Sequence, residues 1–365
     1  MKLCFLAGAD SIHSYRWIKY FADKGHQVSW LTLTPNRFGS ISNTEIKIFR
    51  NFAVKEANAA LNVAPVKAAI NRIAPDVFHA HYAGINGIIG ALSGFHPFVL
   101  TAWGSDILIT AQLAAFRPVI KAVLERADVI TCDAEMVKKE LINLGVPSQK
   151  IKIIYFGVDT EKFTPGPKDG AIVEELGLED SVSVISIRSL EPIYDVETLI
   201  RAVPEVIKEV PNAKFIVAGR GSQGRKLKEM AAWLECAHHI RFIGWIPQND
   251  LPRYLRTADI YVSTSLSDST SVSLLEAMSS GMVPVVTDAG ENREILNGGR
   301  NGFVVPLRDW RQLARKIVFL IKNSQSRTEL KQANRELIEE KYNFRKELDK
   351  MEDIYRQLAS NSYGK

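Results

Sequence analysis

Short apolar runs alternate with stretches of helical spacing along the whole chain. Residues 2–7 form an apolar run that predicts a strand, and in 14–24 Tyr15, Ile18, Phe21 and Ala22 recur at helical spacing before Gly25 stops the pattern. Residues 28–33, 77–80, 98–100, 129–132 and 151–155 read as further strands. Residues 111–126 and 134–144 read as helices, the second closed by Gly145 and Pro147. The sequence FTPGPKDG at 163–170 has the Pro and Gly density of a linker. A second alternating set follows, with strands at 182–186, 214–218, 240–242, 259–263, 283–286 and 302–304 and helices at 196–209, 224–235 and 272–280. Charged helices at 310–323 and 326–342 and a short terminal helix after Asn343 complete the chain. Such alternation predicts parallel sheets covered on both faces. The expected fold is α/β, with two doubly wound, Rossmann-like domains (1–162 and 171–343) facing each other across a cleft. Ligands of such sheets lie outside the carboxyl ends of the strands, so the loops after strands are where chemistry is sought.

The richest of these loops is SLSDSTSVSLLEAMSSGMVP at 265–284. Asp268 and Glu276 flank the hydroxyl run Ser269, Thr270, Ser271, and a short helix ends at Gly281. Carboxylates accept hydrogen bonds from sugar and ribose hydroxyls, and N–H groups at a helix start bind phosphate, so the stretch suits a sugar nucleotide. Phosphate repels carboxylate, which assigns the phosphates to the N–H groups of Thr270, Ser271 and Val272 and to Arg188. Glu276 then takes the ribose and Asp268 the transferred sugar. An exposed helix charge is the other reading of Glu276, but its neighbours in VSLLEAM are apolar and a carboxylate there needs a strong partner. Arg188 ends a strand in SVISIRSLEP; its guanidinium either binds pyrophosphate bidentately or makes a surface salt bridge. Gly219 and Gly221, after the next strand, suit a backbone that runs close to a ligand.

In the first half, Gly8, Ser11 and His13 follow the first strand and either reach into the cleft or form a plain turn with Asp10 or Ser11 capping the helix. No G-x-G-x-x-G occurs there, which argues against a dinucleotide enzyme. His79 and His81 alternate at a strand end. No third ligand accompanies them, so His79 reads as a core residue and His81 as a loop imidazole facing the cleft. In Thr101-Ala-Trp-Gly-Ser-Asp106, Trp103 can stack on a sugar ring, and Asp106 binds a hydroxyl or caps the next helix.

Composition adds bounds. At 365 residues, 46% apolar and 24% charged, the chain is globular and too long for one ordinary core. No apolar run approaches ~20 residues, and the N-terminus reads as a buried strand, not a signal peptide. Three scattered cysteines (Cys4, Cys132, Cys236) without metal spacing point to reduced thiols and a cytoplasmic setting. Residues 1–165 hold 18 Lys/Arg and 13 Asp/Glu, a net +5, leaving 28 of the 46 basic and 28 of the 41 acidic residues to cancel in the remainder. A basic first half suits an anionic partner such as a membrane surface, or is ordinary scatter. Arg117, Lys121 and Arg126 lie in an apolar helix consistent with peripheral membrane contact or with plain packing. Nothing points to nucleic acid.

The chain resembles the retaining glycosyltransferases of family 4, the group 1 glycosyl transferases of GT-B fold. The likeness is carried in order by GHQV (25–28), PDVFHAH (75–81), ADVI (127–130), GVDTEKF (157–163), FIGWIP (242–247), ADI (258–260), LLEAM (274–278) and GFVVP (302–306). It implies a nucleoside-diphosphate-sugar donor, UDP- or GDP-linked, on the second domain. Gly219, Ile246, Ser269, Thr270, Ser271 and Val272 would stand beside Arg188, Asp268 and Glu276 in the donor site. It implies a glycan, glycolipid or lipid-linked acceptor on the first domain, transfer without a metal or other cofactor, and a last segment, 344–365, packed back on the first domain. Four departures stand out: Asp268 replaces the family's first Glu, Ser269 and Ser271 replace glycines, Tyr194 stands near the phosphate-binding Lys, and Trp103 stands in a turn where many relatives have His. A sugar-nucleotide epimerase of the same fold, or a non-catalytic binding relative, are the other readings.

Overall fold

The computed structural model describes residues 1–49 and 55–362, and these divide into two compact units, one of residues up to 156 with 346–362 and one of 157–345. The chain therefore passes between the units at Phe156/Gly157 and again at Arg345/Lys346.

In the first unit, β1 (Lys2–Leu6), α1 (Ile12–Asp23), β2 (Gln27–Thr32), β3 (Thr44–Ile48), α2 (Lys55–Ile73), β4 (Val77–His81), α3 (Ile85–Ser93), β5 (Phe98–Ala102), α4 (Ser105–Leu108), α5 (Arg117–Arg126), β6 (Val129–Cys132), α6 (Glu135–Asn143) and β7 (Ile151–Ile153) follow in order. The strands form one parallel sheet in the order β3-β2-β1-β4-β5-β6-β7. Helix α1 starts where the Ser11 hydroxyl accepts from Ser14 N and ends before Gly25, whose φ of 85° takes the chain out of the helix. Its Trp17, Ile18 and Phe21 are buried. The continuous helix expected at 111–126 is instead a one-turn 3-10 segment at Thr110–Gln112 and a separate α5. Pro118 lies in the first turn of α5, where its missing N–H costs nothing, so it marks a start and not an interior.

The second unit holds α7 (Gly170–Leu176), β8 (Ser183–Ser186), α8 (Val196–Glu209), β9 (Lys214–Ala218), α9 (Gly224–Trp233), β10 (Ile240–Gly244), α10 (Leu251–Thr257), β11 (Ile260–Ser263), α11 (Val272–Ser279), β12 (Val283–Thr287), α12 (Asn292–Ile295), β13 (Phe303–Val305), α13 (Trp310–Lys322) and α14 (Ser324–Lys341). Its parallel sheet runs β10-β9-β8-β11-β12-β13. Helix α8 buries Val196, Leu199, Ile200, Val203 and Val206, the stripe that a 3.6-residue period brings to one face. The last helix, α15 (Phe344–Ser362), is 19 residues long, not short. Within the first unit its Tyr355 hydroxyl meets His79 Nδ1 at 2.5 Å, and Lys24 pairs with Asp349 and Glu352. All three cysteines are reduced and buried.

In each sheet the strand order reverses beside the unit's first strand: between β1 and β4, and between β8 and β11. The crevice of a doubly wound sheet opens at that switch point. The loops that flank it after β1 and β4, and after β8 and β11, are those that carry most of the candidate residues.

Candidate functional site

In the second unit, Arg188 follows β8 and Asp268 follows β11, and the two meet. Arg188 Nη2 donates to Asp268 Oδ2 at 2.8 Å. Its Nη1 donates to the hydroxyls of Ser273 at 2.7 Å and Ser271 at 3.2 Å, while its Nε, also buried, has no hydrogen-bond partner. The buried Tyr261 on β11 bonds Ser273 Oγ at 2.8 Å and so steadies the hydroxyl that holds the guanidinium. Tyr194, at the position of the expected Lys, lies with its ring centroid 4.3 Å from the Arg188 guanidinium carbon. The turn that carries it is tied to the loop after β11, because Leu266 N donates to Ile193 O and the Thr264 hydroxyl to Asp195 O. A neutral ring therefore positions a cation where a second cation was expected.

Ser271 occupies the N-cap position of α11, but its side chain does not cap the helix. An N-cap serine ordinarily accepts from the N–H groups of the first turn. Here its oxygen accepts from Arg188 instead, and it makes no cap hydrogen bond to the start of α11. Val272 begins the helix and Thr270 is buried just before it. Ser269 N donates to Asp268 Oδ1 at 3.2 Å.

Glu276 is 5% exposed, so it is not the surface charge of the alternative reading. Its Oε1 accepts from Gln248 Nε2 at 3.0 Å. Gln248 lies in the loop after β10 two residues beyond Ile246, which is partly exposed. Gly219 and Gly221 do run close to a backbone, that of the loop after β8: a Cβ on Gly219 would stand 2.3 Å from Arg188 O, and one on Gly221 2.3 Å from Leu190 O. Gly219 also lines a cavity of about 420 Å³ at the ends of β9 and β10, which Arg188, Asp268 and Glu276 do not line. Gly290 fixes the opposite side. Its φ is 57°, and a Cβ there would stand 2.4 Å from Asp268 O and 2.6 Å from Ser269 O.

In the first unit, Gly8, Ser11, His81 and Trp103 line one cavity of about 380 Å³, completed by Ser14, Leu33, Thr34, Tyr82, Ile85 and Asn86. No Asp, Glu, Lys or Arg is in that lining, and the volume is that of a ligand pocket. His81 is the last residue of β4, not a loop residue, and is 2% exposed. Its ring packs against Trp17, His79 and Trp103 at centroid distances of 5.3, 4.6 and 5.5 Å, and neither ring nitrogen has a hydrogen-bond partner. Burial drives its pKa down to about 3, so it is neutral. Trp103 Nε1 is likewise buried without a partner.

His13 is outside the lining. Its ring rests on Phe156 at 4.8 Å and edge-on to Trp103 at 5.7 Å, and burial, with the charge of Arg16, lowers its pKa to about 4. Asp106 is also behind the cavity wall. Its carboxylate accepts from Ala83 N at 2.7 Å and Trp103 N at 3.1 Å, which clasps the loops after β4 and β5 together, and burial pushes its pKa up to about 6. It serves the backbone and not a hydroxyl. Ser11 both caps α1 and lines the cavity. His79 is a satisfied core residue, with Nε2 bonded to Thr101 Oγ1 at 2.6 Å as well as Nδ1 to Tyr355. Among the described residues no three His, Cys, Asp or Glu side chains form a group that could hold a metal ion.

Sequence reasoning missed Ser273, Tyr261, Gln248 and Gly290. Only Tyr261 left a signal, a hydroxyl in an apolar strand that needs a buried partner.

Two doubly wound parallel-sheet units are the architecture of the structural neighbours, the GT-B fold, and the family models make the chain a glycosyltransferase of that type. More narrowly, the chain belongs to the group 1, family 4-like glycosyl transferases: "Glycosyl transferases group 1" matches residues 170–337 and "Glycosyl transferase 4-like" residues 2–134. The chain is 22% identical over 353 residues, 92% of its length and 91% of the relative's, to the N-acetyl-alpha-D-glucosaminyl L-malate synthase of Bacillus anthracis. It is 26% identical over 291 residues, 77% and 72% of the two chains, to the UDP-Gal:alpha-D-GlcNAc-diphosphoundecaprenol alpha-1,3-galactosyltransferase of Escherichia coli. Its fold is similar to that of Anabaena HepE in complex with UDP (TM-score 0.85, 20% identity, 98% of this chain and 100% of that one). It is similar also to sucrose-phosphate synthase of Thermosynechococcus elongatus (TM-score 0.82, 18% identity, 99% and 100%). The protein is thus an enzyme of sugar transfer, related to synthases of glycans and glycolipids.

Proposed function

We propose that this enzyme moves a sugar from a nucleoside diphosphate, UDP ahead of GDP, to a hydroxyl of a lipid-linked glycan or glycolipid, with retention at the anomeric carbon and without a metal. The observation that carries the donor half is the junction of Arg188 with the uncapped start of α11: a held guanidinium and a set of N–H donors at one switch point suit a diphosphate. Glu276, buried and bonded by the Gln248 amide, would take the ribose hydroxyls. Asp268 would exchange Arg188 for the hydroxyls of the donor sugar. UDP is favoured because the E. coli relative is a UDP-Gal enzyme and HepE is seen with UDP. The lipid-linked acceptor draws on that same relative, whose acceptor is an alpha-D-GlcNAc-diphosphoundecaprenol, and on a GDP-mannose-dependent mycobacterial relative that acts on a phosphatidylinositol monomannoside.

The acceptor would enter the cavity lined by Gly8, Ser11, His81 and Trp103, with His13 and Asp106 holding its wall. That cavity offers stacking and neutral hydrogen-bonding groups but no effective base, since burial lowers the pKa of His81 to about 3, too weak to hold the acceptor's proton, and its lining has no carboxylate. This supports a front-face transfer. The bond from the anomeric carbon to the phosphate oxygen breaks, the acceptor oxygen bonds the same face, and the leaving phosphate oxygen takes the acceptor's proton. Arg188 and the α11 N–H groups offset the charge that develops on the diphosphate.

A transfer assay tests the reading. With a UDP-sugar and lipid-linked glycan acceptors, nucleoside diphosphate should be released only when acceptor is present, and the product should keep the donor's anomeric configuration by NMR. Epimerised donor in the absence of acceptor, or binding without turnover across the acceptors, would overturn it.

A further inference from the structure

The cavity of about 380 Å³ in the first unit has no Asp, Glu, Lys or Arg in its lining among the described residues. Three of its residues instead carry buried polar atoms with no hydrogen-bond partner among those residues: Ser14 Oγ, Trp103 Nε1 and both ring nitrogens of His81. Ser14 is 1% and His81 2% exposed. Buried polar groups are ordinarily paired, because each one left unpaired costs stability. His79, two residues earlier on β4, follows that rule with both nitrogens bonded. Four unpaired atoms around one cavity mark places where a ligand completes the hydrogen bonds.

The chemistry of those atoms narrows the ligand. A serine hydroxyl both donates and accepts, an indole N–H donates, and a neutral imidazole donates at one nitrogen and accepts at the other. Hydroxyl groups, which also donate and accept, match this mixture. A carboxylate or phosphate only accepts, and brings a charge. Leu33 and Ile85 complete the lining with apolar surface, which suits the C–H faces of a sugar ring. Charged groups come near the cavity but stand outside its lining. The Asp10 carboxylate accepts from Thr34 Oγ1 at 2.9 Å, and Thr34 is a lining residue, so a negative charge backs one wall. Arg16, whose charge acts on His13, is also outside the lining. An anion in the cavity would lose its water with no cation against it. The volume is at the small end of ligand pockets, roughly 300–1,000 Å³, so it suits one end of an acceptor and not a whole glycan.

We propose that this cavity takes an uncharged sugar ring, the terminal residue of the acceptor, by hydrogen bonds from its hydroxyls to Ser14, His81 and Trp103, and that it rejects acceptors whose terminal residue carries a carboxylate or a phosphate. The proposal deepens the acceptor reading above, and rests on it for the purpose of the cavity, by naming the chemical class of the group that enters.

Ligand-observed NMR on the full chain tests it without a donor. The probes are methyl glycosides of neutral hexoses and N-acetylhexosamines, each beside the methyl uronide or the 6-phosphate of the same ring. A neutral glycoside should bind, and its charged counterparts should bind at least about tenfold more weakly. The Trp103 indole N–H signal, assigned by its loss in Trp103→Phe, should shift when that glycoside is added. Ser14→Ala should weaken the glycoside about fivefold, the effect of one neutral hydrogen bond. It should melt no lower than the wild type, since it removes no bond within the protein; a serine with only a structural role would give the reverse pattern. Equal or tighter binding of the uronides or phosphates, no binding of any neutral glycoside, or binding that Ser14→Ala and Trp103→Phe both leave unchanged would overturn the proposal. Sugar transfer to an acceptor that ends in a uronate or a sugar phosphate would overturn it while the proposed function stands. Neutral glycosides bound in the cavity of a chain that transfers no sugar would sink the proposed function and leave this assignment standing.

Discussion

Arg188 donates to Asp268 at 2.8 Å, so the cation suited to phosphate is held by the carboxylate suited to the donor sugar. The pair is largely buried, with side chains 11% and 20% exposed, and Ser271, Ser273 and Tyr194 complete the hold on the guanidinium. Under the proposed function, a diphosphate taken by Arg188 would displace Asp268, which would then turn to the sugar. On that proposal the pairing would link occupancy of the two halves of the donor.

Asp268→Asn keeps the shape and removes the competing charge. Binding of the bare nucleoside diphosphate should tighten by about fivefold, because losing one charged competitor for the guanidinium is worth on the order of 1 kcal/mol. Transfer should fall at least ~100-fold, since the sugar loses its acceptor group. Calorimetric titration beside the transfer assay checks both. Weaker nucleotide binding in Asp268→Asn would contradict the competition.

Arg188→Ala should lower kcat/KM by about 100- to 1,000-fold, the usual cost of one donor to a developing charge. Tyr194→Lys should not improve on the wild type, because a second cation would stand where the ring now packs 4.3 Å from the guanidinium carbon. A gain in kcat for Tyr194→Lys would show that the tyrosine only replaces a lost charge.

Glu276→Gln keeps the packing of α11 while removing the carboxylate. It should weaken nucleoside diphosphate binding about tenfold or more, and weaken the free base much less, if the ribose hydroxyls are its partners. Equal losses for both ligands would move Glu276 away from the ribose.

Gly290→Ala sets a methyl against Asp268 O and Ser269 O and forces φ 57° on an L side chain. The cost should be about 1–3 kcal/mol of stability, with loss of donor binding because the 268–269 loop shifts. Thermal unfolding with and without nucleotide measures both.

The positions of Arg188, Asp268 and Glu276 were legible because strand ends and helix starts announce themselves in sequence. The pairing of Arg188 with Asp268 was not, since it depends on β8 and β11 lying side by side in the sheet. Gln248 and Gly290 were invisible for the same reason: each meets its partner across a sequence gap that no local pattern encodes. Strand β3, TEIKI, was missed because it lies at a sheet edge with mostly exposed side chains. Asp106 was read with two roles, and the structure shows it bonded to Ala83 N and Trp103 N, a link between loops that only the fold brings together.

The buried imidazoles make the first unit acid-sensitive. His81 has a folded pKa of about 3 and His13 of about 4, both below the unfolded value of 6.5. The unfolded chain therefore binds more protons below pH ~6.5, and stability falls as pH falls through that point. At pH ~5 each should cost about 2 kcal/mol. His81→Leu removes one such group, so its melting temperature should fall less between pH ~7 and ~5 than that of the wild type. An unchanged pH slope would show that the His81 ring is reached by water.

The central claim is that the second unit holds a nucleoside diphosphate through Arg188 and the start of α11. Thermal unfolding of the wild type and Arg188→Ala against UDP, GDP, ADP and their sugars tests it most directly. The account predicts that one nucleotide family, UDP first, raises the wild-type melting temperature in proportion to the logarithm of its concentration, and that Arg188→Ala loses the shift. A wild type that none of them stabilises, or an Arg188→Ala variant stabilised as strongly, would contradict it.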